Sequence, residues 1–282
     1  MTKINTAFKG GYRLTPKLLI VYMIMSLFAL SNSINAQVGG ISGSKISSYT
    51  VDVVNHHNVE FEPAFYHFNS RKRWDNNGNL DDFSVNSDST KWITGLNFRV
   101  TYGLMDKLEL GVDFSSDMLL TRIGARYVFY DKEKTGLAAI TGINIPMGNK
   151  TVSKSVRLSN TIAKAGGGLV FTGYILPDFS VDVNAQYFRF IEKTLDDGTN
   201  NWYLNSDFGY YLLERKLQLI AGFGYQFSKY GTFNTEVFTL YPGITVETGK
   251  QYIIVLSAGI DVLGKNTDKN IGAALALTII LD

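Results

Sequence analysis

Residues 271–281 read Ile-Gly-Ala-Ala-Leu-Ala-Leu-Thr-Ile-Ile-Leu. Every second position is apolar, so one face would carry Ile271, Leu275 and Ile279, whereas the other would carry small residues such as Gly272 and Ala276. Alternation with a period of two predicts a β-strand with one apolar face. The preceding run, residues 251–262, repeats the pattern. The two runs therefore predict neighbouring amphipathic strands.

Amphipathic runs of about ten residues recur twelve times from residue 59 onward. A strand that crosses a bilayer needs about 9–11 residues, and every second connection then lies on the same side of the membrane. The connections fit this rule, because short turns alternate with longer polar loops, apart from a short turn at Ser116-Asp117. The sequence predicts an all-β, antiparallel transmembrane β-barrel of about 12 strands, with short periplasmic turns and longer extracellular loops. The predicted loops are 69–90, 149–160, 192–200, 229–234 and 263–270.

Large aromatic residues separate a membrane barrel from a soluble β-sandwich, which alternates in the same way. Trp92 and Tyr102 bracket one run, and Trp202 and Tyr210 bracket another. Aromatic rings are most stable where hydrocarbon meets lipid headgroups. Rings at both ends of an apolar face favour the membrane barrel. Its expected partners are the lipid bilayer and the outer-membrane assembly machinery.

The N-terminal segment predicts a secretory signal peptide. Residues 18–30 are apolar and follow four basic residues, and the run is shorter than the about 20 residues of a spanning helix. Cleavage after Ala36 would lower Lys+Arg from 27 to 23 against 25 acidic residues, which changes the net charge from +2 to −2. No basic patch for nucleic acid remains, so no nucleic-acid partner is expected. The predicted location is the outer membrane of a Gram-negative bacterium.

The predicted domains are a signal peptide at 1–36, an N-terminal lead at 37–58 and the barrel at 59–282. Two interpretations of the lead are open. It is either a flexible periplasmic segment or a plug inserted into the lumen, with residues 46–54 as its apolar anchor.

Residue types argue against catalysis. The chain has no cysteine, which excludes a disulfide framework, a thiolate metal site and a lipidated N-terminal cysteine. Histidine occurs at His56, His57 and His67, and no spacing marks Ser70 or Asp88 as a partner of His67. Adjacent histidines on an extended segment point in opposite directions, which disfavours a metal site. We expect no enzymatic activity, metal or cofactor. A barrel-embedded lipase or protease is the least favoured alternative.

Polar residues on the second face of each run are expected to line the lumen. The charged members are Glu60, Glu62, Arg99, Glu109, Asp113, Arg122, Arg126, Lys164, Asp182 and Asp207. The turn at Ser116-Asp117 predicts that Arg122 lies opposite Gly111 and diagonal to Glu109 and Asp113. Two interpretations are open: a structural ion-pair lattice that stiffens one wall, or a charged constriction that selects permeants.

The longest predicted loop, residues 69–90, carries a basic and aromatic cluster. Its members are Arg71, Lys72, Arg73 and Trp74. This cluster is a candidate contact site on the external surface. If the protein is a closed barrel with a structural or surface-binding role, we expect this cluster to be its contact site.

Three stretches carry a family resemblance. They are residues 58–65 (Asn-Val-Glu-Phe-Glu-Pro-Ala-Phe), residues 100–111 (Val-Thr-Tyr-Gly-Leu-Met-Asp-Lys-Leu-Glu-Leu-Gly), and Tyr241-Pro242-Gly243 through to Leu281. Together they resemble the transporter-type outer-membrane proteins of the MetA pathway of phenol degradation, which are loosely similar to FadL-type channels. The resemblance implies passive or facilitated passage of small, hydrophobic or aromatic solutes. It carries over no catalytic residue.

Overall fold

The structure is a computed structural model that describes residues 38–43, 45–82, 90–118, 120–147, 163–191, 200–231, 233–249 and 251–282. The predicted signal peptide and Gln37 lie outside the described residues. So do the predicted loop 149–160, residues 192–199 of the next loop, and Asp88.

The described residues form thirteen strands. Their bounds are β1 (Val59–Trp74), β2 (Leu80–Asp82), β3 (Lys91–Met105), β4 (Leu108–Ser115), β5 (Leu120–Lys132), β6 (Thr135–Pro146), β7 (Lys164–Leu176), β8 (Phe179–Phe190), β9 (Asn200–Leu212), β10 (Leu217–Tyr230), β11 (Phe233–Thr248), β12 (Tyr252–Lys265) and β13 (Thr267–Leu281). Within this part of the chain no helix is long and apolar enough to cross a membrane.

Twelve of the strands form a closed antiparallel barrel. Their order is β10-β11-β12-β13-β1-β3-β4-β5-β6-β7-β8-β9, and β9 lies against β10. The short strand β2 pairs with the last residues of β1. The register between β6 and β7 is continuous and places Asn144 opposite Lys164. Other pairs contain a register shift, as between β1 and β13 at Ser70/Lys72. The prediction of an antiparallel barrel of about twelve strands is confirmed.

The two ends of the barrel differ in their connections. At one end, here called the turn end, β1 begins and β13 ends, and short turns such as 106–107, 133–134 and 177–178 join the strands. At the opposite end, here called the loop end, residues 75–90, which include β2, separate β1 from β3 in the sequence, and residues 147–163 separate β6 from β7. These connections follow the predicted alternation of short turns and longer loops.

Strands near the loop end are longer than predicted. The predicted loop 229–234 is wrong, because only residues 231–232 separate β10 from β11. The predicted loop 263–270 is also wrong: Asn266 alone separates β12 from β13, in a left-handed conformation with φ of 53°. Asparagine tolerates this conformation, which allows a tight turn. The backbone hydrogen bonds between strands continue into polar segments that lack alternating apolar residues. The sequence pattern therefore does not mark these segments as strands.

Side chains alternate between the two faces of the barrel wall. On β9, Trp202, Leu204 and Tyr210 are exposed on the outside, whereas Tyr203 and Asn205 are buried inside. Aromatic contacts also cross strands on the outer face: Phe208 contacts Phe179 and Phe223, with ring centroids 6.4 and 5.7 Å apart. Such a face matches the lipid-facing surface of a membrane barrel.

Candidate functional site

The N-terminal lead occupies the lumen. Residues 38–43 and 45–54, here called the plug, contact the inner wall along their whole described length. The incoming arm of the plug passes Gly111 of β4 and Gly124 of β5. The tip lies at Asp207 of β9 and Phe223 of β10. The outgoing arm runs along Thr172 of β7 and Gly136 of β6, and it leaves the lumen beside Gly103 at the turn end. The charged lumen residues therefore face a segment of their own chain.

Glu109 and Arg126, here called the clasp, hold both arms of the plug. Both side chains are completely buried, and Arg126 Nη2 lies 2.8 Å from Glu109 Oε1. Glu109 accepts hydrogen bonds from the backbone N–H of Ser42 and of Val54, each at 2.8 Å. Arg126 donates to the carbonyl oxygens of Ser42 at 3.2 Å and of Thr50 at 2.7 Å. One ion pair thus joins the incoming and outgoing arms of the plug.

The tip of the plug is bound on the opposite wall by two aspartates. Asp207 accepts hydrogen bonds from three successive backbone N–H groups, those of Ile46 and Ser47 at 2.9 Å and Ser48 at 3.0 Å. Lys45 Nζ lies 2.5 Å from Asp182 Oδ2. Asp207 therefore holds the tip of the plug through its backbone N–H groups, and Asp182 holds it through the ammonium of Lys45.

Two glycines make room for the plug backbone. Gly111 and Gly124 lie opposite each other on β4 and β5. A Cβ atom at Gly111 would lie 1.8 Å from the carbonyl oxygen of Gly40, and one at Gly124 would lie 2.2 Å from that of Gly39. Any larger residue at either position would displace the plug, so the two glycines are needed for the plug backbone to lie directly against the wall.

An apolar cluster packs the plug against β5–β9. Val38, Ile41, Tyr49 and Val51 contribute from the plug. They contact Val128, Ala138, Ile140, Val170, Phe188 and Tyr203 on the wall. The Tyr49 hydroxyl donates to the Val38 carbonyl, and burial raises the pKa of Tyr49 to about 12. The apolar anchor thus begins at Val38, upstream of the predicted residues 46–54.

The remaining charges of β1 and β3–β5 also form pairs. Arg99 Nη2 lies 2.9 Å from Glu62 and contacts Glu60 as well. Arg122 Nε donates to Asp113 at 2.6 Å. The register prediction is wrong by two residues, because Arg122 lies opposite Asp113 and Gly111 lies opposite Gly124. A two-residue turn at Ser116-Asp117 would start β5 at residue 118, but β5 starts at Leu120, so the pairing of β5 with β4 is shifted by two residues.

Lys164 is the charged lumen candidate for which the described residues provide no hydrogen-bond or ion-pair partner. Its side chain is 1% exposed, and its Nζ has no hydrogen-bond partner among the described residues. The rings of Phe188, Phe190 and Tyr203 surround it, with Nζ 5.8 to 5.9 Å from their centroids.

The external candidates lie on a strand and not on a loop. Residues 71–74 extend β1, where Lys72 lies 3.7 Å from Asp82 and Arg73 lies 2.7 Å from Asp268. Arg71 is exposed. Trp74 is only 4% exposed, because its ring packs on Gly264. Trp74 is therefore not an exposed contact residue, and the predicted loop cluster is wrong in this respect.

The three histidines contact a threonine, a tyrosine and each other within the described part of the chain. His67 Nδ1 lies 2.6 Å from Thr94 Oγ1, and Ser70 donates instead to the carbonyl of Lys72. His56 and His57 stack with centroids 3.8 Å apart, contrary to the expected opposite orientations, since His57 has a φ of 71° and lies in a turn. In the described part of the chain no three His, Asp or Glu residues form a metal-binding group.

A cavity of about 320 Å³ lies beside the outgoing arm of the plug at the turn end. Its walls include Val51 and Asp52 of the plug, Gly136 of β6, and Thr172 and Tyr174 of β7. The outgoing arm of the plug thus borders free space at the turn end.

Comparison with known proteins shows the fold. No family model and no curated protein match the sequence. The COG4313 outer membrane channel from Pseudomonas putida F1 matches in structure with a TM-score of 0.63 and 13% identity, over 82% of this chain and 98% of that chain. The NanC porin matches with a TM-score of 0.51 and 7% identity, over 77% of this chain and 98% of its own. The chain therefore has the fold of outer-membrane β-barrel channels.

A FadL homologue of Pseudomonas aeruginosa also aligns over 90% of this chain and all of its own, with 9% identity and a TM-score of 0.43. This value is too low to carry an argument. The resemblance to the MetA-pathway proteins stays a prediction.

Sequence reasoning found the lumen charges but missed most of their partners. Ser42, Ser47 and Ser48 bind Glu109 and Asp207, although nothing in their spacing indicates it. The glycine groove had one available signal. Gly111 and Gly124 both interrupt amphipathic runs on the inward parity, and a glycine inside a strand often marks the close approach of another backbone.

Proposed function

We propose that this protein is an outer-membrane channel for small solutes, and that the plug closes it at rest. The observation that carries the proposal is the way the plug is held. It is bound mainly by side chains of the inner wall, through polar contacts such as Glu109 with Ser42 and Asp207 with Ser47. Water can replace such contacts, so the plug can leave the lumen without disrupting the barrel ladder.

The width of the barrel supports the same conclusion. An eight-stranded barrel is narrow enough for side chains to fill, whereas wider barrels enclose a channel or an inserted segment. A twelve-stranded barrel without its plug would leave an aqueous path lined by Glu109, Asp113, Arg122, Arg126 and Asp207. Solutes of the class suggested by the resemblance, small and hydrophobic or aromatic, would pass along this path when the plug is displaced.

A closed barrel with a structural role is the second candidate. The density of buried plug contacts favours it, because the clasp alone joins two arms of the plug through fully buried groups. A permanent seal and a movable plug differ in whether the protein ever conducts.

Planar-bilayer conductance tests the proposal on the full chain and on a variant that lacks residues 38–52. We expect small, intermittent currents from the full chain and large, persistent currents from the deletion variant. The folded state of both is checked by the shift in gel mobility on heating. Absence of current from a correctly folded deletion variant would overturn the channel. Current from the deletion variant alone, with none from the full chain, would favour the closed barrel.

A further inference from the structure

Lys164 combines three properties that need a common explanation. It is the first residue of β7, at the loop end of the lumen, and its side chain is 1% exposed. Its ammonium has neither a hydrogen-bond partner nor an ion-pair partner among the described residues. Burial removes the water that stabilises the charged form of an amine, and contacts with ring faces replace only part of that stabilisation. The residues around Lys164 leave the rest of this loss uncompensated.

A second unpartnered group lies directly beside it. Asn144 of β6 is opposite Lys164 in the ladder and is 1% exposed. Both its amide nitrogen and its amide oxygen lack hydrogen-bond partners in the described structure. Two adjacent buried side chains therefore offer donors that this chain does not use.

The local charge is positive. Arg122 of β5 lies opposite Asn144 on the other side, and its nearest acid, Asp113, already accepts from it at 2.6 Å. The neighbouring wall is aromatic, with Phe188, Phe190 and Tyr203 around the ammonium. Gly166 permits this packing, because a Cβ atom there would lie 2.8 Å from Cγ of Phe188.

We propose that Lys164 and Asn144 bind the carboxylate of a small organic acid with an aromatic body, on the loop-end side of the plug. Lys164 supplies the counter-charge, the Asn144 amide donates a hydrogen bond to the carboxylate, and the three rings contact the apolar body. The assignment deepens the proposed channel function and rests on it, since it names the solute that the lumen recognises. Charge-assisted hydrogen bonds of this kind are about twice as strong as neutral ones.

Binding of benzoate to the purified full chain in detergent tests the assignment, by titration calorimetry with benzamide as the neutral match. We expect saturable binding of benzoate that is at least tenfold tighter than that of benzamide. Lys164→Met should weaken benzoate binding at least tenfold and leave benzamide unchanged. Asn144→Leu, which keeps the charge, should weaken benzoate roughly threefold to tenfold. Lys216→Met, in an exposed turn, serves as the matched control and should bind benzoate as the parent does.

Equal binding of benzoate by the parent and by both Lys164→Met and Asn144→Leu would overturn the assignment, as would the absence of saturable binding by the parent. If Lys164→Met fails to fold, Asn144→Leu decides. Entry of labelled benzoate and benzamide into proteoliposomes separates this inference from the proposed function. Passage of neither solute contradicts the channel, whereas equal passage of both, unchanged in Lys164→Met, contradicts only the acid site.

Discussion

The clasp and Lys164 show two different uses of a buried charge in one lumen. Arg126 and Lys164 are both inward-facing cations that are almost completely buried. Arg126 contacts Glu109 and the carbonyl oxygens of the plug, so its charge is balanced by this chain. Lys164 contacts aromatic rings and has no acidic partner among the residues that the structure describes. A balanced charge holds structure together, whereas an unbalanced one is available for a ligand.

Breaking the clasp should have the largest effect. Glu109→Ala leaves the buried Arg126 guanidinium without its counter-charge, and loss of one partner of a buried pair costs about 3–5 kcal/mol. We expect the free energy of unfolding in detergent to fall by this amount, measured by urea titration with tryptophan fluorescence. The double variant Glu109→Met with Arg126→Met removes both charges at similar volume and should lose less. An unchanged urea midpoint for Glu109→Ala would show that the clasp does not hold the plug.

Removal of the Lys164 charge should change stability in the opposite direction. Lys164→Met keeps the length of the side chain and removes the cost of burying an ammonium without a partner. We expect the free energy of unfolding to rise by about 1–3 kcal/mol in the same urea titration. A decrease would mean that Lys164 has a structural partner, as Arg126 does.

The sequence predicts which charged residues face the lumen but not which groups they contact. The two-residue period of the strands placed Glu109, Arg126 and Lys164 on the inner face, because alternate side chains of a strand always point the same way. The partner of each charge did not follow. Ser42 is 67 residues from Glu109, and the plug has no periodic pattern that would specify the contact.

The strand ends illustrate a second limit. The polar neighbours Arg71, Lys72 and Arg73 predict a loop around Trp74, yet β1 extends to Trp74 and its ladder with β13 resumes at Lys72 after a bulge at Arg71. Backbone hydrogen bonds between strands are independent of side-chain polarity. Apolar alternation therefore reports only the part of a strand that needs an apolar face, and it underestimates strands that extend beyond the membrane.

Loss of Asp207 should release the tip of the plug with a smaller effect on the barrel. Asp207→Ala removes the acceptor of three backbone N–H groups, those of Ile46, Ser47 and Ser48. We expect a loss of about 1–3 kcal/mol, since buried donors are left without partners. Lys45 would then be more often accessible, so trypsin should cleave after Lys45 roughly tenfold faster. A cleavage rate equal to that of the parent would contradict the role of Asp207.

The smallest effect is expected outside the lumen. Arg73→Ala removes an exposed ion pair with Asp268, and exposed pairs contribute about 0–1 kcal/mol. The urea midpoint and the rate of trypsin cleavage after Lys45 should both match those of the parent. A loss as large as that of Glu109→Ala would show that stability does not distinguish the lumen from the surface.

Tethering the plug tests most directly whether its movement opens the channel. A Cβ atom at Gly136 would lie 3.2 Å from Cβ of Val51, near the separation found in disulfides, about 3.5–4.5 Å, and the chain has no cysteine of its own. The measurement is solute entry into proteoliposomes that contain the Val51→Cys, Gly136→Cys variant, with the two single variants as controls. The account predicts that oxidation abolishes entry, that a reductant restores it, and that neither treatment affects the single variants. Equal entry in the oxidised and reduced states would contradict the account.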